Sequence, residues 1–125
     1  MIKYIVIVIL ILFGLIWYFN NPILRLNRLY ALNLSLNTEK VIWEENWSGN
    51  GNGSVVGLFN LNKEDSQRLS KRCQSQTSPF VQDNTISKYT YRCTIEYKKD
   101  NEDIISLVLV KDKENEYLFY KIVVQ

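Results

Sequence analysis

Histidine is absent from this chain of 125 residues, and cysteine occurs only twice, at Cys73 and Cys93. The first absence removes the usual general base near neutral pH and the commonest metal ligand. Two cysteines twenty positions apart, with no histidine to join them, fall short of a structural zinc site. Carboxylates exist, but Glu44-Glu45 and Glu102-Asp103 are adjacent pairs. On strands such neighbours point to opposite faces, a poor geometry for paired acid–base chemistry. No serine is singled out for a Ser–Lys dyad. The sequence therefore predicts no catalytic residues, no metal, no cofactor and no enzyme.

A surplus of one charge sign is also missing. From Asn33 onward there are twelve Lys and Arg against thirteen Asp and Glu, which leaves no electrostatic case for nucleic acid. The glycine-rich run Gly49-Asn50-Gly51-Asn52-Gly53 lacks the context of a phosphate loop, because it opens a strand and no Lys-Ser/Thr pair follows it. It also lacks the carboxylates of a calcium loop, so it is expected to be a flexible hairpin. The triplets Asn33-Leu34-Ser35, Asn46-Trp47-Ser48 and Asn52-Gly53-Ser54 match the glycan acceptor pattern, which an Asn-rich chain reaches by coincidence.

What the chain does have is an unbroken apolar run, Tyr4 to Phe19, in which twelve of sixteen residues are Ile, Leu, Val or Phe. Their transfer to a bilayer sums to roughly 4–7 kcal/mol as an upper bound. A helix of that length reaches about 24 Å, somewhat short of a hydrocarbon core of about 30 Å. Lys3 can snorkel outward at one end, and Trp17 and Tyr18 suit the headgroup level at the other. No A-x-A-like cleavage pattern follows the run, so an uncleaved signal anchor over residues 1–21 is expected.

Asn21-Pro22 reads as an N-cap followed by a first-turn proline, opening a juxtamembrane helix and linker over residues 22–38. Ile23, Leu26, Leu29 and Tyr30 share a broad side, with Arg25 and Arg28 opposite. Both an interfacial helix, its arginines near anionic headgroups, and a plain stalk helix fit this pattern. Leu32 to Asn37 alternates with period two and suggests an extended segment. The charges flanking the apolar run nearly balance. The cysteine pair therefore decides orientation, because an even pair in a small exported domain implies a disulfide and a C-terminal domain on the periplasmic or extracytoplasmic side.

Residues 39–125 are expected to form that domain. Lys40–Trp47 and Val55–Leu61 read as paired strands, with Val41, Trp43 and Trp47 on one face. Asn62 caps a helix running to about Cys73, with Asp65 three residues on. Gln74–Thr85 reads as a polar loop. Ser87–Lys99 alternates, with Tyr89, Tyr91, Cys93, Ile95 and Tyr97 facing a covering helix and Thr94 among polar residues opposite. Asp103–Val110 and Tyr117–Val124 complete the set. The order ββαβββ predicts an α+β meander, a small antiparallel sheet with one helix over one face. Partner contact is expected at Trp43, Trp47, Phe59 and Phe80, with Trp47 foremost because it stands beside a turn too polar to bury it. The pattern as a whole points to a single-pass membrane-anchored module that binds an unidentified protein, such as an immunity, inhibitor or envelope accessory protein. The alternative is a structural or assembly subunit acting through the apolar helix.

Overall fold

The computed structural model describes the backbone of residues 1–125 and every side chain except that of Val81. The chain forms two compact units, Met1–Asn37 and Thr38–Gln125.

In the first unit, α1 spans Ile2–Asn20 and buries none of its residues. It is long and apolar enough to cross a membrane, with a mean hydropathy of 2.5. Asn21 then adopts an extended conformation, φ −71° and ψ 120°, which ends α1 and caps the next helix. Its side-chain oxygen accepts from the backbone N–H groups of Ile23 at 2.9 Å and Leu24 at 3.3 Å. Helix α2, Pro22–Tyr30, stops at Ala31, which takes a left-handed φ of 53°. The alternation over residues 32–37 does not produce a strand. Asn33 is also left-handed, at φ 57°, and the Asn27 amide folds the segment back. It donates to the Leu34 carbonyl at 3.0 Å and accepts from the Leu34 N–H at 2.7 Å. Ile23 and Leu26 on α2 are buried while Leu29 is exposed, so the broad apolar side expected there is divided between two environments.

The second unit is an open, antiparallel, five-stranded sheet with one α-helix inserted. Its elements are β1 (Glu39–Trp47), β2 (Gly53–Leu61), α3 (Lys63–Ser70), β3 (Thr90–Asp100), β4 (Asp103–Lys111) and β5 (Glu116–Val124). The strand order is β1-β2-β5-β4-β3, which corrects the expected meander. After β2 the chain crosses to the far edge, then returns by two tight hairpins, so β5 closes the gap beside β2. Hairpin turns explain the returns, because Asn101 between β3 and β4 takes φ 57° and Asp112 organises the turn between β4 and β5. The crossover joins elements far apart in sequence, and such pairing leaves no local mark.

Both faces of the sheet are covered, which replaces the expected single covered face. On one face Leu58, Ile86, Val108, Val110, Tyr117 and Phe119 form a buried cluster, with Ile42, Val56, Phe80, Tyr89 and Tyr91 packed around it. Ile86, Phe80 and Tyr89 belong to the segment between α3 and β3, which contains the 3₁₀ turns Pro79–Gln82 and Asn84–Ile86. What reads as a polar loop is thus a strap across the sheet. On the other face Val55, Phe59, Leu107, Leu109, Leu118 and Tyr120 are buried, as is Leu69 of α3.

The strap is held by hydroxyl groups, which is why its letters look like a loop. Ser78 is buried and its Oγ accepts from Ser106 Oγ at 2.6 Å and from the Phe80 N–H at 3.1 Å. Thr94 Oγ1 accepts from the Ser78 N–H at 3.0 Å and lies 2.8 Å from Tyr91 Oη. Each such bond contributes about 0.5–1.5 kcal/mol net, and leaving one unmade in the interior costs about 1–3 kcal/mol. An ion pair between Asp83 and Lys121 adds to these, with the Lys121 ammonium 4.9 Å from the Phe80 ring centroid. Burial pushes the Asp83 carboxyl up, but the hydrogen bonds from Lys121 and Thr85 and the Lys121 charge outweigh it and hold it below its ordinary value.

Two register shifts in β3, at Tyr91/Cys93 and at Thr94/Glu96, break its even alternation. Bulges of this kind turn successive side chains onto one face. Thr94 is therefore fully buried beside Tyr91 rather than solvent-facing. Cys93 pairs with Leu109 and is joined to Cys73 by a disulfide, fixing the chain after α3 to β3.

Candidate functional site: the aromatic hairpin

β1 forms one edge of the sheet and pairs only with β2. A register shift between Lys40 and Ile42 marks a bulge at Val41, which is 43 % exposed and out of step with the rest of the strand. Beyond it the alternation is regular, and Trp43, Glu45 and Trp47 share one face. The Glu45 carboxylate accepts from both indoles, Oε2 from Trp43 Nε1 at 3.1 Å and Oε1 from Trp47 Nε1 at 3.4 Å. One carboxylate therefore bridges two tryptophans along the strand edge.

Glycines opposite the tryptophans let the rings lie flat. Trp43 pairs with Gly57 and Trp47 with Gly53. A Cβ at Gly57 would stand 2.9 Å from Trp43 Cε3, and one at Gly53 would stand 2.5 Å from Trp47 Cε3 and 2.3 Å from the Asn46 carbonyl oxygen. The two rings nevertheless differ in environment. Trp43 is half-buried, stacked on Tyr120 at 6.1 Å and 9° and tilted against Phe59 at 6.0 Å. Trp47 is 53 % exposed and borders a shallow depression of about 410 Å³ with Asn46, Ser48, Asn52 and Gly53.

The turn carrying Trp47 is more ordered than its composition suggests. Ser48 N–H donates to the Asn52 carbonyl at 2.7 Å, Ser48 Oγ donates to the same oxygen at 2.9 Å, and Asn52 N–H donates to Asn50 Oδ1 at 3.2 Å. Gly51 supplies the positive φ, 88°, that closes the turn. The expected flexible hairpin is a hydrogen-bonded cap.

The four aromatic residues expected to meet a partner do not form one surface. Phe59 is fully buried, Phe80 packs into the strap core beneath Lys121, and Trp43 is largely committed to Tyr120 and Phe59. Trp47 alone of the four is exposed. Glu45 and the two glycines went unassigned in the sequence. The available signal was their spacing, since Trp43/Trp47 and Gly53/Gly57 are both four apart and mirror one another across the turn. In the first unit Trp17 and Tyr18 are exposed at 60 % and 45 %, Lys3 and Arg28 are exposed, and Arg25 is half-buried. Arg28 lies over the Phe19 ring at 5.6 Å. Among the described residues no three His, Cys, Asp or Glu side chains gather into a possible metal site. The buried serines Ser78 and Ser106, which are hydrogen-bonded to each other, are occupied in holding the strap.

No protein-family model matches this chain, and neither a curated protein nor a solved structure matches it at a significant level.

Proposed function

We propose that this is a single-pass membrane protein whose α1 is an uncleaved anchor and whose sheet domain, on the extracytoplasmic side, binds another protein through the Trp47 end of the aromatic hairpin. The observation that carries the proposal is the pairing of an entirely exposed, membrane-length helix with a separate, disulfide-closed sheet unit. Disulfides persist in oxidising compartments, which favours export of the domain. Trp47 suits a docking anchor because its ring is positioned by Gly53 and Glu45 yet keeps half its surface in solvent. A small anchored binding domain of this kind fits an immunity or inhibitor protein, or an accessory subunit of an envelope complex. Its partners would be the bilayer and one protein, with no cofactor.

A second reading, an assembly subunit acting through α1, draws on the same exposed helix, in which Gly14 leaves open space for a close neighbour. Deleting residues 1–21 separates the two. A binding module retains partner affinity as a soluble protein, whereas an assembly subunit loses its function. If the soluble domain neither binds a partner nor restores function when re-anchored by an unrelated helix, the binding-module proposal is wrong.

A further inference from the structure

The end of the sheet opposite the Trp47 turn carries a depression of about 690 Å³. Lys88, Thr90, Lys111, Lys113 and Asn115 line it, together with the turn residues Asp112 and Glu114. Thr90 and Lys111 are cross-strand partners, so the sheet register fixes one wall. Side-chain contacts through Tyr89 and Tyr117 also link two of the lining residues, Lys88 and Asp112. Lys88 Nζ sits 5.4 Å over the Tyr89 ring, Tyr89 packs on Tyr117 at 4.9 Å, and Tyr117 Oη donates to Asp112 Oδ2 at 3.2 Å.

Two observations decide which ligand suits this bowl. Among the described residues, none of the three lysines makes an ion pair. Asp112, the nearest acid by sequence, is engaged elsewhere. Its Oδ1 accepts from the backbone N–H groups of Glu114 at 3.1 Å and Asn115 at 2.9 Å, and its Oδ2 accepts from Tyr117. Glu114 is the one remaining carboxylate on the rim, which leaves the lining with three ammonium groups against two carboxylates. Thr90 and Asn115 add neutral donors.

We propose that this depression is an anion site for a phosphate group, bound by Lys88, Lys111 and Lys113 with Thr90 and Asn115 as neutral donors. Lysine ammonium groups bind phosphate as point charges, and three of them on flexible stems can meet several oxygens of one tetrahedral oxyanion. The two acids in the lining keep the binding weak and salt-sensitive. The phosphate can be free in solution or belong to a lipid headgroup. A headgroup is tested as a source because the chain enters the sheet at this end, where Glu39, the first residue of β1, lies in the same cross-sheet row as Asn60, Tyr117, Val110 and Tyr91.

The test uses the full chain in lipid nanodiscs, with amide and lysine side-chain NMR signals as the readout. Inorganic phosphate is titrated into neutral phosphatidylcholine discs against sodium chloride at equal ionic strength. In a second arm, discs containing anionic phosphatidylglycerol replace the neutral ones. Shifts confined to residues 88–90 and 111–115 in the first arm identify a soluble phosphate, and the same shifts only in the second identify a headgroup. The variant K88Q/K111Q/K113Q should weaken the response about tenfold while lowering the melting temperature by no more than a few degrees, because all three side chains are exposed and the Lys88 contact with the Tyr89 ring is a surface one. K98Q/K99Q, at the far end of β3, should leave it intact. The proposal is overturned if neither arm shifts these residues, if chloride does so equally, or if the two variants behave alike.

Discussion

Trp43 and Trp47 lie four residues apart on one face of β1, and truncating each to alanine should give opposite results. Trp43 contributes two aromatic pairs, with Tyr120 at 6.1 Å and Phe59 at 6.0 Å, worth about 0.5–1.5 kcal/mol each beyond the area they bury. Losing a fully buried Trp costs about 3–5 kcal/mol, and because Trp43 is only half-buried a loss of about 2–4 kcal/mol is expected. In a domain of this size each kcal/mol shifts the melting temperature by about 4–8 °C, so Trp43→Ala should lower it by roughly 8 °C or considerably more. Trp47 is 53 % exposed, its hydrogen bond to Glu45 is long at 3.4 Å, and its cross-strand partner Gly53 has no side chain to pack on it. Trp47→Ala should therefore cost no more than about 1 kcal/mol, while weakening partner binding more than tenfold if the ring is an interface anchor. Thermal unfolding followed by near-ultraviolet circular dichroism, paired with partner crosslinking in the membrane, reads both effects. Equal destabilisation by the two variants would show that Trp47 belongs to the core and that the docking site is misplaced.

Other perturbations probe the scaffold. Replacing Cys73 and Cys93 together by serine should destabilise the domain by about 3 kcal/mol in the chain-entropy model, read as an earlier urea midpoint; an unchanged midpoint would show that the strap and α3 need no covalent tie. Asp83→Asn removes the charge that meets Lys121 and should cost about 1–3 kcal/mol near neutral pH. Asp83 has a folded-state value below its ordinary 3.8, so the stability it contributes is complete above that value and is lost as pH falls through the lowered one. The gap between wild type and Asp83→Asn should close on acidification, and a gap that widens would contradict the ion pair.

Much of the local structure is visible in the residues themselves. The caps Asn21 and Asn62 mark their helices, since each side chain accepts backbone N–H groups of the first turn. The apolar run matches α1, and the turns at Gly51 and Asn101 follow from residues that tolerate positive φ. The pairing of β2 with β5 left no local trace, because adjacency in the sheet depends on where the crossover lands. Bulges at Val41 and around Thr94 moved side chains between faces, and period-two counting cannot register an inserted residue. Ser78, Thr94 and Ser106 escaped notice as buried positions because each satisfies another's hydrogen bonds, which hides a core behind polar letters. For the docking surface, the exposure of Trp47 was legible from its polar turn, while the burial of Phe59 was not, since β2 is covered on both faces.

Membrane topology bears most directly on the proposed role. Alkaline phosphatase fused after Gln125 should be active, and a reporter that functions only in the cytosol should be silent at the same junction. The mature chain should retain α1, and Cys73 and Cys93 should resist thiol labelling until reduced. A silent phosphatase with an active cytosolic reporter, or a mature chain lacking its first twenty-odd residues, would contradict an uncleaved anchor carrying an extracytoplasmic domain.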